Sequence, residues 1–409
     1  MTRTEKIAWL AFGAASLQLA FLQPYIILVP GERTNLFSGA LCLLSLIVAL
    51  IFAGRGAIRF RSPEFLVSVV LVALAVTSAL SDLPLRSPSF RVAVLLASGL
   101  GGFWCARLLL HTPENQRRFQ WLCLMILGGV LLLSLTGYLL RREIHYFFFK
   151  GSNHPLTNLI FLLSFAPLTL LREKSRPLVL LGVALLSLSY VVLCLSERLS
   201  VVFIPVGLGV VGLLFGTLRW KHVVAALLIL GLIIGVFSQQ ILWFKLSTKY
   251  PTYRIENYFF SWAIARQHPL LGIGLSSNRD QFLKDYQIKY PYETKEQFSK
   301  DVAYIVTPDN QLLTFLSGLG FPFTIIYFLA VLALLVKLVA MTFRPPPGLY
   351  FHPLALLFPL AAALLHYQLY DGLLFPQNSW FFHILLGLIS LAPAPRRVEP
   401  AHEVSLINS

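Results

Sequence analysis

Two arginines and an aspartate lie where a largely apolar sequence becomes polar. Arg198 lies in the short segment LSERLS between two apolar runs, Arg254 precedes IENYFFSWAIARQHPLLGIG, and Asp309 opens DNQLLTFLSGLG. A guanidinium group binds phosphate in a two-pronged geometry, so two arginines could hold a diphosphate and neutralise its charge as it leaves. Arginines at such positions suit a substrate with a lipid tail and an anionic head.

Each of these residues also has a simpler interpretation. Arg198 could be a polar turn with one snorkelling arginine. Asp309 could complement the dipole of a helix that begins at TPDNQLL, with Thr307 as the N-cap and Pro308 in the first turn.

Further polar candidates lie at other ends of apolar runs. Asp371, in LYDGLLFP, could contact an acceptor or could be a plain turn residue, since Asp-Gly is a common turn pair. Asn310 follows Asp309 directly. Arg141 and Arg142 open a basic, aromatic loop that could contact anionic lipid or an acceptor's phosphates, or could simply lie among the headgroups.

The composition requires a membrane protein. The mean hydropathy is +0.73, and only 12% of the residues are charged, about half of the share in soluble domains. Lipid offers no partners to backbone polar groups, so the spans must be helices. We expect a single all-α transmembrane domain over 1–409, with the N-terminal run as a retained first span. The four cysteines lie in apolar runs without paired spacing, which predicts buried free thiols.

About twelve apolar runs approach the roughly 20 residues that cross a bilayer. They are 7–29, 36–53, 64–80, 91–110, 119–140, 155–171, 177–195, 200–217, 222–240, 309–340, 353–370 and 378–392. With a cytoplasmic N-terminus, seventeen basic residues fall on inner segments and seven on short outer loops. This bias predicts both termini in the cytoplasm and one long periplasmic loop, 242–308, between spans nine and ten. The net charge of +15 follows the spans and does not indicate nucleic-acid binding.

The long loop contains a helical pattern. Ile255, Tyr258, Phe259 and Trp262 recur at helical spacing, which predicts an amphipathic helix, lying either in the outer leaflet or across the end of the bundle. The stretch HPLLGIG then permits a tight turn and a close approach of backbones.

The order of these motifs resembles the O-antigen ligase and polymerase superfamily of membrane glycosyltransferases. The resemblance rests on LSERLS, on Arg254 leading SWAIARQHPLLGIG, and on DNQLLTFLSGLG entering a span. It implies transfer of a glycan from undecaprenyl diphosphate to an acceptor hydroxyl, such as that of lipid A-core, at the periplasmic face of the bacterial inner membrane. It also implies inversion without a metal or other cofactor, with Arg198 and Arg254 holding the diphosphate. The chain departs from the family at one position, because the family has a histidine, the proposed base, where this chain has Asp309. An aspartate can act as a base, but it ordinarily titrates near pH 3.9 and is a weaker base than histidine at neutral pH. Asp309 could instead orient the acceptor through hydrogen bonds.

Three alternatives remain at this stage. A repeat-unit polymerase would use the same donor and arginines but another acceptor. A small-anion transporter would place ionisable groups or broken helices at mid-membrane, where the sequence offers few. A lipid-binding scaffold would catalyse nothing. His366 and His383 near span ends are expected to be structural residues with satisfied hydrogen bonds.

Overall fold

The computed structural model describes residues 3–22, 33–52, 62–80, 90–141, 154–195, 250–275, 310–346, 349–368 and 372–392. All regular structure in these ranges is helical. The helices are α1 Arg3–Leu17, α2 Arg33–Phe52, α3 Pro63–Leu80, α4 Phe90–Leu109, α5 Pro113–Arg141, α6 His154–Leu163, α7 Phe165–Leu170, α8 Arg176–Leu195, α9 Tyr250–Gln267, α10 Gln311–Phe343, α11 Pro353–His366 and α12 Pro376–Leu391. A π-helical turn, Gln18–Leu22, extends α1, and a 3-10 turn, Gly372–Leu374, precedes α12.

Five of these helices are long and apolar enough to cross a membrane: α3, α4, α5, α8 and α10. Shorter apolar helices occupy Phe37–Phe52, His154–Leu170 and Pro353–His366. Within the described residues, the prediction of an all-α membrane protein is therefore confirmed. Helices overlap ten of the predicted spans, whereas 200–217 and 222–240 lie outside the described residues, so the count of twelve stays a prediction.

Helix α12 forms the centre of the bundle. Every residue from Pro376 to Ser390 is buried, and the helix packs most extensively against α4. The two backbones come close at Gly102 and Gly387, where an added Cβ would lie 2.5 Å from a carbonyl oxygen of the other helix. Small residues at such crossings are typical of membrane helices, because they let backbones approach.

Two predictions about buried residues are confirmed within the described ranges. Cys42, Cys105 and Cys123 are buried free thiols. His383 is a structural residue, because its Nδ1 atom lies 2.7 Å from the carbonyl oxygen of Ser379 and its Nε2 atom lies 3.1 Å from the hydroxyl of Tyr327. Both ring nitrogens are thereby engaged inside the bundle.

The described bundle has two chemically different ends. At one end, here called the basic end, Arg107 pairs with Glu64 at 3.3 Å, and Tyr350 donates to the side chain of Gln120 at 2.7 Å. The helix ends and turns there carry further basic residues, namely Arg117, Arg118, Arg172, Lys174 and Arg176. The opposite end, here called the polar end, holds the start of α6, the start of α10 and the end of α11. It is rich in neutral polar side chains.

Candidate functional site

A kink divides α10 just beyond its third turn. Gly320 has φ +83° and ψ 173°, and Pro322 follows within the same helix. Proline has no amide hydrogen, so the normal ladder of helix hydrogen bonds is interrupted here. The kink exposes backbone groups that a neighbouring segment can use.

The loop after α9 binds into this kink through main-chain hydrogen bonds. The amide of Ile273 donates to the carbonyl of Ser317 at 2.8 Å, and the amide of Gly274 donates to that of Gly318 at 2.8 Å. In return, the amide of Phe321 donates to the carbonyl of Pro269 at 2.8 Å. The loop and the kinked helix thus satisfy each other's backbone groups, as lipid surroundings require.

The glycines of both motifs are explained by this contact. Gly272 has φ +62°, and a Cβ there would lie 2.5 Å from the carbonyl carbon of Gly318. A Cβ on Gly320 would lie 2.4 Å from the carbonyl oxygen of Leu270. Backbone contacts backbone here, so there is no flexible side chain to move aside. The motifs HPLLGIG and DNQLLTFLSGLG thus form the two sides of one backbone contact, between 269–274 and 317–321, here called the glycine joint.

Helix α9 forms where the amphipathic helix was predicted, and it packs mainly against α10. The buried side chains of its described part differ from the predicted apolar stripe, because Phe260, Ile264 and Ala265 face the protein. Phe259 and Trp262 remain 62% and 43% exposed. One face therefore caps the bundle while aromatic residues of the stripe stay available to a surrounding membrane.

The start of α10 is capped by Asn310, whose side-chain oxygen accepts the amide hydrogen of Leu313 at 3.1 Å. The prediction of Thr307 as the N-cap was wrong by three positions, because asparagine is an equally good cap and lies closer to the apolar run. The described helix therefore begins at Gln311, while Asp309 lies outside the described residues. The dipole interpretation of Asp309 stays a prediction.

Gln368, just beyond α11, joins three segments of the chain. Its carbonyl oxygen accepts a hydrogen bond from the side-chain amide of Asn310 at 3.0 Å and another from the hydroxyl of Tyr258 at 3.1 Å. Tyr258 lies one turn after Arg254 in α9. The junction therefore brings the helix that contains Arg254 to the residue that follows Asp309.

A second layer of contacts lies beneath this junction. The amide of Gln311 donates to the carbonyl of Tyr367 at 2.9 Å, and its side chain accepts from the amide of Leu373 at 2.8 Å. Gly372 is in tight contact, since an added Cβ would lie 2.5 Å from the side-chain nitrogen of Asn158. The polar end is thus tightly packed around neutral polar groups.

Two histidines complete the polar end. The Nδ1 atom of His154 lies 3.1 Å from the Nε2 atom of His366, whose Nδ1 atom lies 2.8 Å from the side-chain oxygen of Asn158. The expectation that His366 has satisfied hydrogen bonds is confirmed, but its partnership with His154 was missed. Both residues lie at the outer ends of predicted spans, which was the only sequence signal. Their pairing depends on the packing of α6 against α11.

The predicted site residues are described to different extents. Asn310 is at the centre of the polar end, Arg254 lies in α9, and Arg141 is the last residue of α5. Arg142, Arg198, Asp309 and Asp371 lie outside the described residues, although Asn310 and Gly372 are the direct neighbours of the two aspartates. The site residues as a set stay a prediction.

A comparison with protein families matches part of the chain. The model of a family described as O-Antigen ligase matches residues 181–328, from the middle of α8 to just beyond the kink in α10. No curated protein matches the chain. The matched segment contains LSERLS, α9, the glycine joint and the start of α10, and it therefore confirms the resemblance of this part of the chain to the O-antigen ligase superfamily.

Proposed function

We propose that this protein is an inner-membrane glycosyltransferase of the O-antigen ligase type. It moves a glycan from undecaprenyl diphosphate to an acceptor hydroxyl, such as one of lipid A-core, with inversion and without a metal. The observation that carries the proposal is the junction at Gln368, which holds α9, with Arg254, against the capped start of α10, which follows Asp309. The family match covers both of these segments.

The charges of the described residues support a periplasmic site. The basic end of the bundle carries Arg107, Arg117, Arg118, Arg172, Lys174 and Arg176, whereas the described side chains of the polar end are neutral amides, hydroxyls and imidazoles. Short segments rich in lysine and arginine stay in the cytoplasm. The polar end then faces the periplasm, and both termini lie in the cytoplasm.

Each polar or charged candidate residue has its own role in the proposed reaction. Arg198 and Arg254 hold the diphosphate and stabilise the charge that develops as it leaves. Asp309 orients the acceptor hydroxyl through a hydrogen bond, with Asn310 and Asp371 beside it. An aspartate with an ordinary pKa near 3.9 would need about 4 kcal/mol to hold a proton at pH 7, which makes it a poor final acceptor. Arg141 and Arg142 contact anionic lipid or phosphates of the acceptor.

The proposal is tested with purified protein in lipid nanodiscs, given an undecaprenyl-diphosphate-linked glycan and lipid A-core. We expect a new glycan-lipid product, formed in chelator as fast as in its absence. Joining of two lipid-linked repeats in place of this product would mean a polymerase. If neither product forms while the protein conducts small anions in vesicles, the enzyme proposal is wrong.

Asp309→Asn distinguishes orientation from proton transfer. The amide retains a hydrogen-bonding oxygen at the same place but cannot take up a proton. We expect the variant to keep between about a tenth and a third of the wild-type kcat, since replacing a charge-assisted hydrogen bond by a neutral one costs roughly 1 kcal/mol. Initial rates at saturating donor measure this. A loss of about a thousandfold or more would make Asp309 the base.

A further inference from the structure

A cavity of about 280 Å³ lies between α3 and α10 and extends from the middle of the bundle toward the basic end. The two helices meet nearer the polar end, where the hydroxyl of Ser78 donates to the carbonyl of Gly318 at 3.3 Å. Two exposed residues line the cavity, Pro63 on α3 and Ala333 on α10. The cavity therefore opens sideways between these helices, toward the surroundings of the bundle.

The interior of this cavity suits hydrocarbon. Most of its walls are apolar side chains of α3, α4, α10 and α12. Its neutral polar groups are paired inside the protein: the hydroxyl of Ser68 accepts from the indole N–H of Trp104 at 3.2 Å. The hydroxyl of Tyr327 lies 3.1 Å from the Nε2 atom of His383. An apolar cavity of about 150 Å³ stays dry and takes up benzene, so this one has room for part of a lipid chain.

A cluster of charged side chains lies where the cavity reaches the basic end. Glu64, a lining residue, pairs with Arg107 at 3.3 Å, and Arg107 also donates to the hydroxyl of Ser390 at 2.7 Å. Lys337 lies one turn beyond Ala333 in α10 and donates to the carbonyl oxygen of Ser390 at 3.1 Å. Its charge interacts with the charges of both Glu64 and Arg107. The mouth of the cavity thus contains two cations and one anion.

This charged mouth can hold a phosphate group. Ammonium and guanidinium groups have several donor hydrogens each, and the described contacts of Arg107 and Lys337 use only some of them. The side chains of Arg107 and Glu64 are 20% and 31% exposed, so the pair is within reach of a ligand. Basic pockets between membrane helices on the cytoplasmic side bind anionic lipid headgroups. A positive mouth on an apolar cavity therefore matches an anionic lipid at both of its parts.

We propose that this cavity binds one anionic phospholipid of the cytoplasmic leaflet, with its phosphate on Arg107 and Lys337 and one acyl chain between α3 and α10. The proposed orientation of the bundle gives the leaflet, but the site does not depend on glycan transfer. It lies at the opposite end of the bundle from the candidate transferase site. The bound chain fills the gap between the two helices and stabilises their packing.

The test is native mass spectrometry of the full-length protein in detergent, with phosphatidylglycerol and phosphatidylcholine of equal chain length. We expect one tightly held phosphatidylglycerol molecule, with a Kd about fivefold lower than that of the zwitterionic lipid. Glycerol phosphate, which has no chains, should not displace it, and displacement would mean a site for free phosphate groups. Undecaprenyl phosphate should compete no better than phosphatidylcholine. Stronger competition would mean a polyprenyl site. Either of these results, or equal Kd values for the two phospholipids, overturns the proposal.

Two charge changes at the mouth have opposite expected effects. Lys337→Gln should raise the Kd for phosphatidylglycerol about fivefold, because one cation is lost. Glu64→Gln should lower it by a similar factor, because the carboxylate that competes for Arg107 is removed. Arg118→Gln is the matched control, since Arg118 lies at the same end of the bundle but pairs with Glu114 within α5, and its Kd should stay unchanged. Equal Kd values in all three variants, or an equal loss in the control, overturn the headgroup assignment.

Ala330→Phe tests the position of the chain. Ala330 lines the cavity, and a phenylalanine there would occupy part of the space without changing any charge. We expect the Kd for phosphatidylglycerol to rise about tenfold or more, because the exclusion of two methylene groups from an apolar site already has an effect of this size. A folded Ala330→Phe protein with the wild-type Kd overturns the proposal. If this variant does not fold, the opposite effects of Lys337→Gln and Glu64→Gln still decide it.

Discussion

Arg254→Ala is expected to lower glycan transfer by about a hundredfold to a thousandfold, and Arg198→Ala by a similar factor. Loss of one donor that stabilises a developing negative charge costs roughly 2.7–4 kcal/mol in the transition state. Lysine should rescue either position poorly, because an ammonium group lacks the two-pronged geometry of the guanidinium. The measurement is the initial rate of product formation at saturating acceptor, with donor concentration varied.

The control for this pair is Arg266→Ala. Arg266 lies in the last turn of the same helix α9 as Arg254 and has the same charge, so it tests whether any arginine of the helix suffices. We expect its kcat to stay near that of the wild-type protein. Transfer that persists after loss of both Arg198 and Arg254 would rule out the diphosphate-binding role of these two arginines.

Gly320→Ala is expected to destabilise the joint between α9 and α10 and to remove activity with it. The backbone at φ +83° and ψ 173° belongs to a region that is essentially restricted to glycine, and the new Cβ would lie 2.4 Å from the carbonyl oxygen of Leu270. Strain and displacement together should cost about 3 kcal/mol or more. The midpoint temperature of thermal unfolding in detergent should fall accordingly. Size-exclusion chromatography of heated samples measures this midpoint.

Two further glycines provide a graded comparison. A Cβ on Gly318 would meet the side chain of Leu275 at 2.6 Å, and that side chain can move, so Gly318→Ala should be milder. A Cβ on Gly128, within α5, meets nothing within 4 Å. Gly128→Ala should therefore be neutral or slightly stabilising, because alanine favours a helix. Equal behaviour of the three variants would contradict the role assigned to the joint.

The sequence alone was enough to predict that the protein is a helical membrane protein and that it resembles the O-antigen ligase superfamily. A chain that is 57% hydrophobic leaves helices as the main solution in lipid, and most helix bounds followed from the lengths of the apolar runs. The motifs around Arg254 and Asp309 predicted a relation to the ligase superfamily that the family match confirms. Such features depend on residue types and their order along the chain.

Local patterns were less reliable where two interpretations had similar energies. The helix cap moved from Thr307 to Asn310, because both residue types can accept an amide hydrogen and only packing selects between them. The stripe with Phe259 and Trp262 predicted a helix correctly, but the face that packs against the bundle carries Phe260 and Ile264. An apolar side chain can face lipid or protein, and the sequence does not distinguish these surroundings.

By itself, the sequence determined that this is a helical membrane protein whose charged residues lie at the ends of spans. Only the tertiary structure decided which segments meet. It placed the turn with Gly272 in the kink at Gly320, and it joined Tyr258 and Asn310 through the carbonyl of Gln368. It also paired His154 with His366, 212 positions along the chain. Contacts over such separations depend on how helices cross, and backbone carbonyls and close glycine contacts leave almost no mark on residue types.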